Sequence, residues 1–271
     1  MNRKIGFIGC GKMAGAIITG IKNSCCSKNL HLAGAEINYE IAELAQNKLG
    51  IEVITDNREL VKNSDIVFIA VKPCYVLPIL EEIKSELTEE KLLVSIAAGI
   101  STTKIENIIG QKRVVRVMPN TPALVQTGMA GVCKGKYAVD KDVEFVVELL
   151  NNVGLAIEVS EDKMDIVTAI SGSGPAFFYQ VIEDTARAGE KLGLDYEKSL
   201  LLTAQTALGA AKMIFNRKDL TVQNLIDNVA TKGGCTFAGV SVMKEKNSDK
   251  LFYDVIKKTA QKAHALGNDK F

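Results

Sequence analysis

The chain has 271 residues, 47% of them hydrophobic and 24% charged, which suits a soluble globular protein of two domains or one large one. With 33 Lys and Arg against 32 Asp and Glu, the balance excludes a general electrostatic grip on nucleic acid or an anionic membrane, so the expected partner is a small molecule. Six cysteines without Cys-x-x-Cys spacing, and only two histidines, His31 and His264, argue for reduced thiols and against a zinc site.

The amino terminus passes from a short basic start into a strand, turn and helix pattern with no signal-peptide core, and no apolar run approaches the ~20 residues of a bilayer span. Both features predict a cytoplasmic protein. Strand candidates then follow in order: KIGFIG, LHLAGAE, IEVI, DIVFIAV, KLLVSIAA and RVVRVM, most of them apolar enough to be buried on both faces. Helix-like stretches lie among them at Ala14–Asn23, Tyr39–Leu49 and Val76–Leu87. This alternation predicts an α/β domain, a Rossmann-type doubly wound parallel sheet, over residues 1–160. GMAGVCKG and LAIEVS, flanking a helical segment at Asp142–Asn151, extend the same sheet. After Ser160 apolar residues recur at three and four spacings through Phe177–Leu192, Tyr196–Phe215, Val222–Val229 and Leu251–Leu266. An all-helical domain is therefore expected over 161–271, with Asp195 and Thr221 as helix caps and with apolar faces that a second copy would cover, making a homodimer.

Gly9-Cys10-Gly11-Lys12-Met13-Ala14 directly follows the first strand and opens a helix, the context in which a glycine-rich turn brings backbone amides to a pyrophosphate. Glu36 ends the second strand, where a carboxylate accepts from a free ribose 2'-hydroxyl and repels a 2'-phosphate, leaning the cofactor from NADPH toward NADH. Ser171 and Ser173 in ISGSGP lack the flanking glycines of a nucleophile elbow, and His31 and His264 are surface or packing residues. Hydride transfer fits better. Reduction of a protonated imine neutralises a cation and needs mainly orientation; SGSGP lets a helix amino terminus approach a ligand closely, and TKGGCT, near the end of the chain, exposes backbone amides suited to a carboxylate.

The segments IGFIGCGKMAGAI, DIVFIAVKP, RVMPNTP, AISGSGPAFFY and GGCTFAGV, in this order over essentially the whole length, resemble pyrroline-5-carboxylate reductases. The resemblance implies an amino-terminal Rossmann domain, a helical dimerisation domain whose copies interlock, and often a ring of dimers. It implies reduction of 1-pyrroline-5-carboxylate to L-proline by NADPH or NADH, the last step of proline synthesis. Carried over by position, Gly9, Gly11, Lys12 and Met13 line the pyrophosphate turn, and Asn57 falls on the adenosine side. Val71, Lys72 and Pro73 run beside the cofactor, Ala97 and Ala98 let the nicotinamide approach the sheet, and Met118, Asn120 and Thr121 approach its ribose and ring. Gly233, Gly234, Cys235 and Thr236 match the substrate loop, with backbone amides on the carboxylate and the Thr236 hydroxyl on the ring nitrogen. Hydride then passes from nicotinamide C4 to the imine carbon with no obligatory side-chain acid.

The chain departs from the resemblance at Thr231-Lys232, where many family members have Ser-Pro, which bears on loop rigidity and on the anions accepted. A related dehydrogenase of a hydroxy acid would need a lysine just after the interdomain glycines, and GPAFFY has none. A nucleotide-sensing protein without turnover would not need the late glycine motif.

Overall fold

The structure, a computed structural model, describes residues 3–268; the side chains of Cys25, Cys26 and Asn268 lie outside the described set. Five strands run in parallel, β1 (Arg3–Ile8), β2 (Leu30–Ala35), β3 (Glu52–Ile54), β4 (Ile66–Ile69) and β5 (Leu92–Ser95), joined by β6 (Arg113–Met118). β7 (Gly128–Lys134) and β8 (Gly154–Glu158) complete one sheet in the order β3-β2-β1-β4-β5-β6-β7-β8. The order reverses between β1 and β4, the switch point at which a doubly wound sheet opens a crevice at its carboxyl edge. The expected extension of the sheet is present, with one correction: β7 is antiparallel to β6. Residues 119–127, which join them, contain only a 3-10 turn at Thr121–Val125 and cannot make the crossover that a parallel partner requires.

Alternation along each strand explains the two layers. Ile5, Phe7, Ile66, Phe68, Leu92, Val94, Val115 and Val117 point to one face and pack with α1 (Lys12–Lys22) and α6 (Asp140–Leu150). Ile8, Val67, Ile69, Leu93 and Val114 point to the other, under α3 (Asn57–Lys62), α4 (Pro73–Ile83) and α5 (Thr102–Ile109). Phe7 and Phe68 stack at 4.7 Å between centroids. α2 (Tyr39–Leu49) matches its expected bounds and adds Ala42 and Ala45 against Val53.

Beyond the sheet lie α7 (Met164–Val167), a π-helical turn at Thr168–Gly172, α8 (Gly174–Lys191), α9 (Tyr196–Asn216), α10 (Val222–Val229), α11 (Cys235–Glu245) and α12 (Ser248–Asn268). Asp195 and Thr221 accept hydrogen bonds from the amides of Lys198 and Asn224, each at 3.1 Å, and so cap α9 and α10. By its contacts the chain forms two compact units, residues 1–173 with 258–271, and 174–257. Residues 161–173 group with the sheet because α7 lies on β7: a Cβ at Gly131 would meet Val167 Cγ1 at 2.6 Å. In the second unit only Gly174, Ala186 and Ser199 are buried, while Leu201, Leu208, Phe215, Met243 and Leu251 stay open. No helix among the described residues is long and apolar enough to cross a membrane.

Candidate active site

The glycine-rich turn leaves β1 at its carboxyl end. Gly9 has φ +88°, its N–H donates to Ala35 O at 2.9 Å, and a Cβ there would fall 2.8 Å from Val71 Cγ1 and 2.9 Å from Ala70 O. Only glycine fits between the ends of β1 and β4. Gly11 differs: it is exposed, an added Cβ would meet nothing within 4 Å, and it starts α1 without a side-chain cap. The first amides of α1 thus face open space, the arrangement that takes a phosphate. Lys12 is exposed and Met13 half-buried in the same turn.

Glu36, at the end of β2, accepts from the Cys10 N–H through Oε1 at 2.6 Å, so its carboxylate is held beside the glycine turn. The Cys10 thiol sits over Gly34, where a Cβ would come within 2.4 Å of Sγ, and burial together with the Glu36 charge pushes it up to about 12. It is a neutral packing group and no nucleophile.

Other expected cofactor residues also lie past strand ends. Val71 is half-buried, and Lys72 and Pro73 start α4, the lysine exposed. Ala97 is 3% exposed while Ala98 is open. Asn57 starts α3 and donates to Glu82 Oε2 at 3.1 Å, a bond that ties α3 to α4. Met118 lies against Gly172 of the π turn, where a Cβ would be 2.6 Å from its terminal methyl. Asn120 is 8% exposed and its amide is engaged at both ends: Nδ2 donates to Ser171 O at 3.0 Å and Oδ1 accepts from Met129 N–H at 2.8 Å. These two bonds fix the orientation of the carboxamide and leave its second N–H and second lone pair for a cofactor. Thr121 is exposed at the head of the 3-10 turn.

One cluster escaped the sequence reading. Arg116, 4% exposed inside β6, pairs with Glu161 Oε1, and Glu161 Oε2 accepts from the Thr102 hydroxyl and the Cys133 thiol, both at 2.8 Å. Burial works to raise the Glu161 carboxyl, but the Cys133, Arg116 and Thr102 contacts outweigh it and hold it below the usual carboxylate range. Burial and the same hydrogen bond push the Cys133 thiol up. An arginine inside the apolar run RVVRVM was the available signal, since a buried cation demands a partner.

The late motif resolves into a turn and a helix start. Gly234 N–H donates to Thr231 O at 2.9 Å with Gly233 at φ +84°, the third position of a type II turn. Lys232 occupies the second position, which favours proline but does not require it, and its side chain is exposed. Cys235 and Thr236 are not loop residues, as expected from sequence, but the first two residues of α11, exposed and without a side-chain cap before them. Their amides and the Thr236 hydroxyl present three donors around one glycine-lined helix end.

Residues 161–266 match the family model for pyrroline-5-carboxylate reductase dimerisation, and residues 4–99 that for a coenzyme F420-dependent NADP oxidoreductase. The chain is 38% identical over 267 residues to a pyrroline-5-carboxylate reductase of Methanosarcina acetivorans, covering 98% of both chains. Its fold matches that of a pyrroline-5-carboxylate reductase from Coxiella burnetii, with TM-score 0.93 and 32% identity over 99% of this chain and 100% of the other. A Plasmodium falciparum pyrroline carboxylate reductase with NADP bound matches at TM-score 0.84 and 34% identity, over 98% and 99%.

Proposed function

The chain belongs to the pyrroline-5-carboxylate reductase family, and we propose that it performs that family's reaction, reducing 1-pyrroline-5-carboxylate to L-proline with NAD(P)H. The observation that carries the reading is convergence. Residues expected to hold the cofactor, scattered from Gly9 to Asn120, lie at or just past the ends of β1 to β6 along the carboxyl edge of one sheet. A glycine with no room for a Cβ, an uncapped helix start and a carboxylate at Glu36 fit a dinucleotide there.

When bound, the nicotinamide supplies a hydride to the imine carbon, turning the C=N bond into a C–N single bond. The protein's part is placement. Gly9, Gly11, Lys12 and Met13 hold the pyrophosphate, Asn57 serves the adenosine side, and Val71, Lys72, Pro73, Ala97, Met118 and Asn120 shape the nicotinamide end. The amides of Gly233 and Cys235 take the substrate carboxylate, Gly234 giving room for its approach while its own N–H closes the turn on Thr231 O, and the Thr236 hydroxyl accepts from the protonated ring nitrogen. Because hydride addition discharges the iminium cation, no side-chain acid has to deliver a proton, and orientation supplies most of the rate.

Glu36 favours NADH. Its carboxylate is already committed through one oxygen to Cys10, and the charge beside the turn disfavours a ribose 2'-phosphate. The working form is a homodimer built through the helical unit, and a ring of such dimers is distinguished by native mass. A cytoplasmic setting, where the free thiols of Cys10, Cys74, Cys133 and Cys235 stay reduced, completes the reading.

The test of the substrate site is a pair of variants. Thr236→Ala should lower kcat/KM by about ten- to a hundred-fold, the range for losing a hydrogen bond to a charged group, while Cys235→Ser stays near wild type. Equal activity of the two would remove Thr236 from its role.

A further inference from the structure

The stretches that lead into and out of residues 174–257 both fasten to one short segment, residues 97–104. On the way in, Glu161 Oε2 accepts from the Thr102 hydroxyl at 2.8 Å and from its amide at 3.4 Å, at the start of α5. On the way out, Lys104 Nζ donates to Gly267 O in the last turn of α12. There two glycines meet backbone to backbone. A Cβ on Gly99 would lie 3.5 Å from Gly267 N, and one on Gly267 would lie 3.1 Å from Gly99 O. One turn earlier, His264 Nδ1 and Asp165 Oδ2, 2.9 Å apart, tie α12 to α7.

These attachments are not what a nucleotide-binding sheet requires. α5 already covers the sheet through Ile105 and Ile109 and is capped by Ser101, whose hydroxyl accepts from Lys104 N–H at 3.2 Å. Ahead of it the chain turns through Gly99 at φ +76°, and the hydrogen bond within the preceding segment is a long one, Ala97 N–H to Ser95 Oγ at 3.4 Å. The segment that presents Ala97 and Ala98 is therefore fixed at its far side by residues that follow the last strand in sequence but pack in the same unit. Reaction geometry is sensitive to displacements of about 1 Å, so such a segment needs external support.

We propose that Thr102 and Lys104 are positioning residues: through Glu161 and Gly267 they hold residues 97–99 where the nicotinamide needs them, so the segments flanking the helical unit set cofactor affinity. This rests on the reading of Ala97 and Ala98 as nicotinamide-lining. Thr102 ties the first turn of α5 to Glu161, and Lys104, two residues on, ties the same turn to the end of α12.

The experiment uses the full-length protein and two probes, NADH and ADP-ribose, which lacks the nicotinamide. Thr102→Val and Lys104→Met should each weaken NADH binding about five-fold, the usual scale for one lost hydrogen bond, with ADP-ribose affinity held within about two-fold. Thr102→Ser and Lys104→Arg, which keep the donors, should restore NADH binding. Loss of both probes together, or of neither, would overturn the proposal. Wild-type protein that fails to bind NADH or to turn over 1-pyrroline-5-carboxylate would instead sink the underlying reading of the site.

Discussion

At Glu36 one carboxylate does two things, accepting the Cys10 N–H at 2.6 Å and setting a negative charge beside the glycine turn. The two can be separated. Glu36→Gln keeps an acceptor for the amide and removes the charge, so the ratio of kcat/KM for NADPH to that for NADH should rise about ten-fold, corresponding to about 1.4 kcal/mol. An unchanged ratio would place cofactor selectivity elsewhere. Gly9 was legible because its chemistry allows few alternatives: at φ +88° against Val71 it tolerates no side chain, whereas Glu36 was legible as a carboxylate at the end of β2 and its bond to Cys10 was not. Asn120 was legible only as a position. Whether its amide turns to a ligand or to Ser171 and Met129 depends on a π turn fifty residues away in sequence, which no local pattern encodes. Glu161 was missed for the same reason, since its partners Thr102, Arg116 and Cys133 come from three separate elements.

Among the elements, α2 and α10 matched their expected bounds to the residue, whereas α4 lies earlier than the expected Val76–Leu87 at both ends, because Pro73 sets its first turn. The helices not anticipated were short or had no stripe to read. α3 spans six residues and buries only Leu60 and Val61, α5 spans eight, and α11 mixes small, β-branched and apolar residues all round. Missing α11 made the late motif look like a loop, although Cys235 and Thr236 begin a helix. The turn before it keeps its closing hydrogen bond without the proline expected there, with Lys232 in the position that proline would take. Lys232→Pro should therefore stabilise the protein by about 0.4–1 kcal/mol in urea unfolding by restricting the unfolded chain, with substrate turnover retained. A loss of stability would mean that the backbone at 232 does not accept proline.

For the whole molecule, the two units differ in what they can do alone. The sheet carries its own cores on both faces, whereas the unit spanning 174–257 buries only Gly174, Ala186 and Ser199 and leaves Leu201, Phe215 and Leu251 open. Helices with so little interior are completed by a partner, which agrees with the dimerisation family model over 161–266. Sequence periodicity located those apolar faces but could not say whether they met each other or a second chain, because both arrangements bury the same residues. The central claim, hydride delivery to an imine carbon, is tested most directly with 1-pyrroline-5-carboxylate and NADH carrying deuterium at the transferable C4 position. The cofactor should be oxidised stoichiometrically, and the L-proline formed should bear one deuterium at C5. Proline without deuterium, or a cofactor that is not consumed when the imine is added, would contradict it.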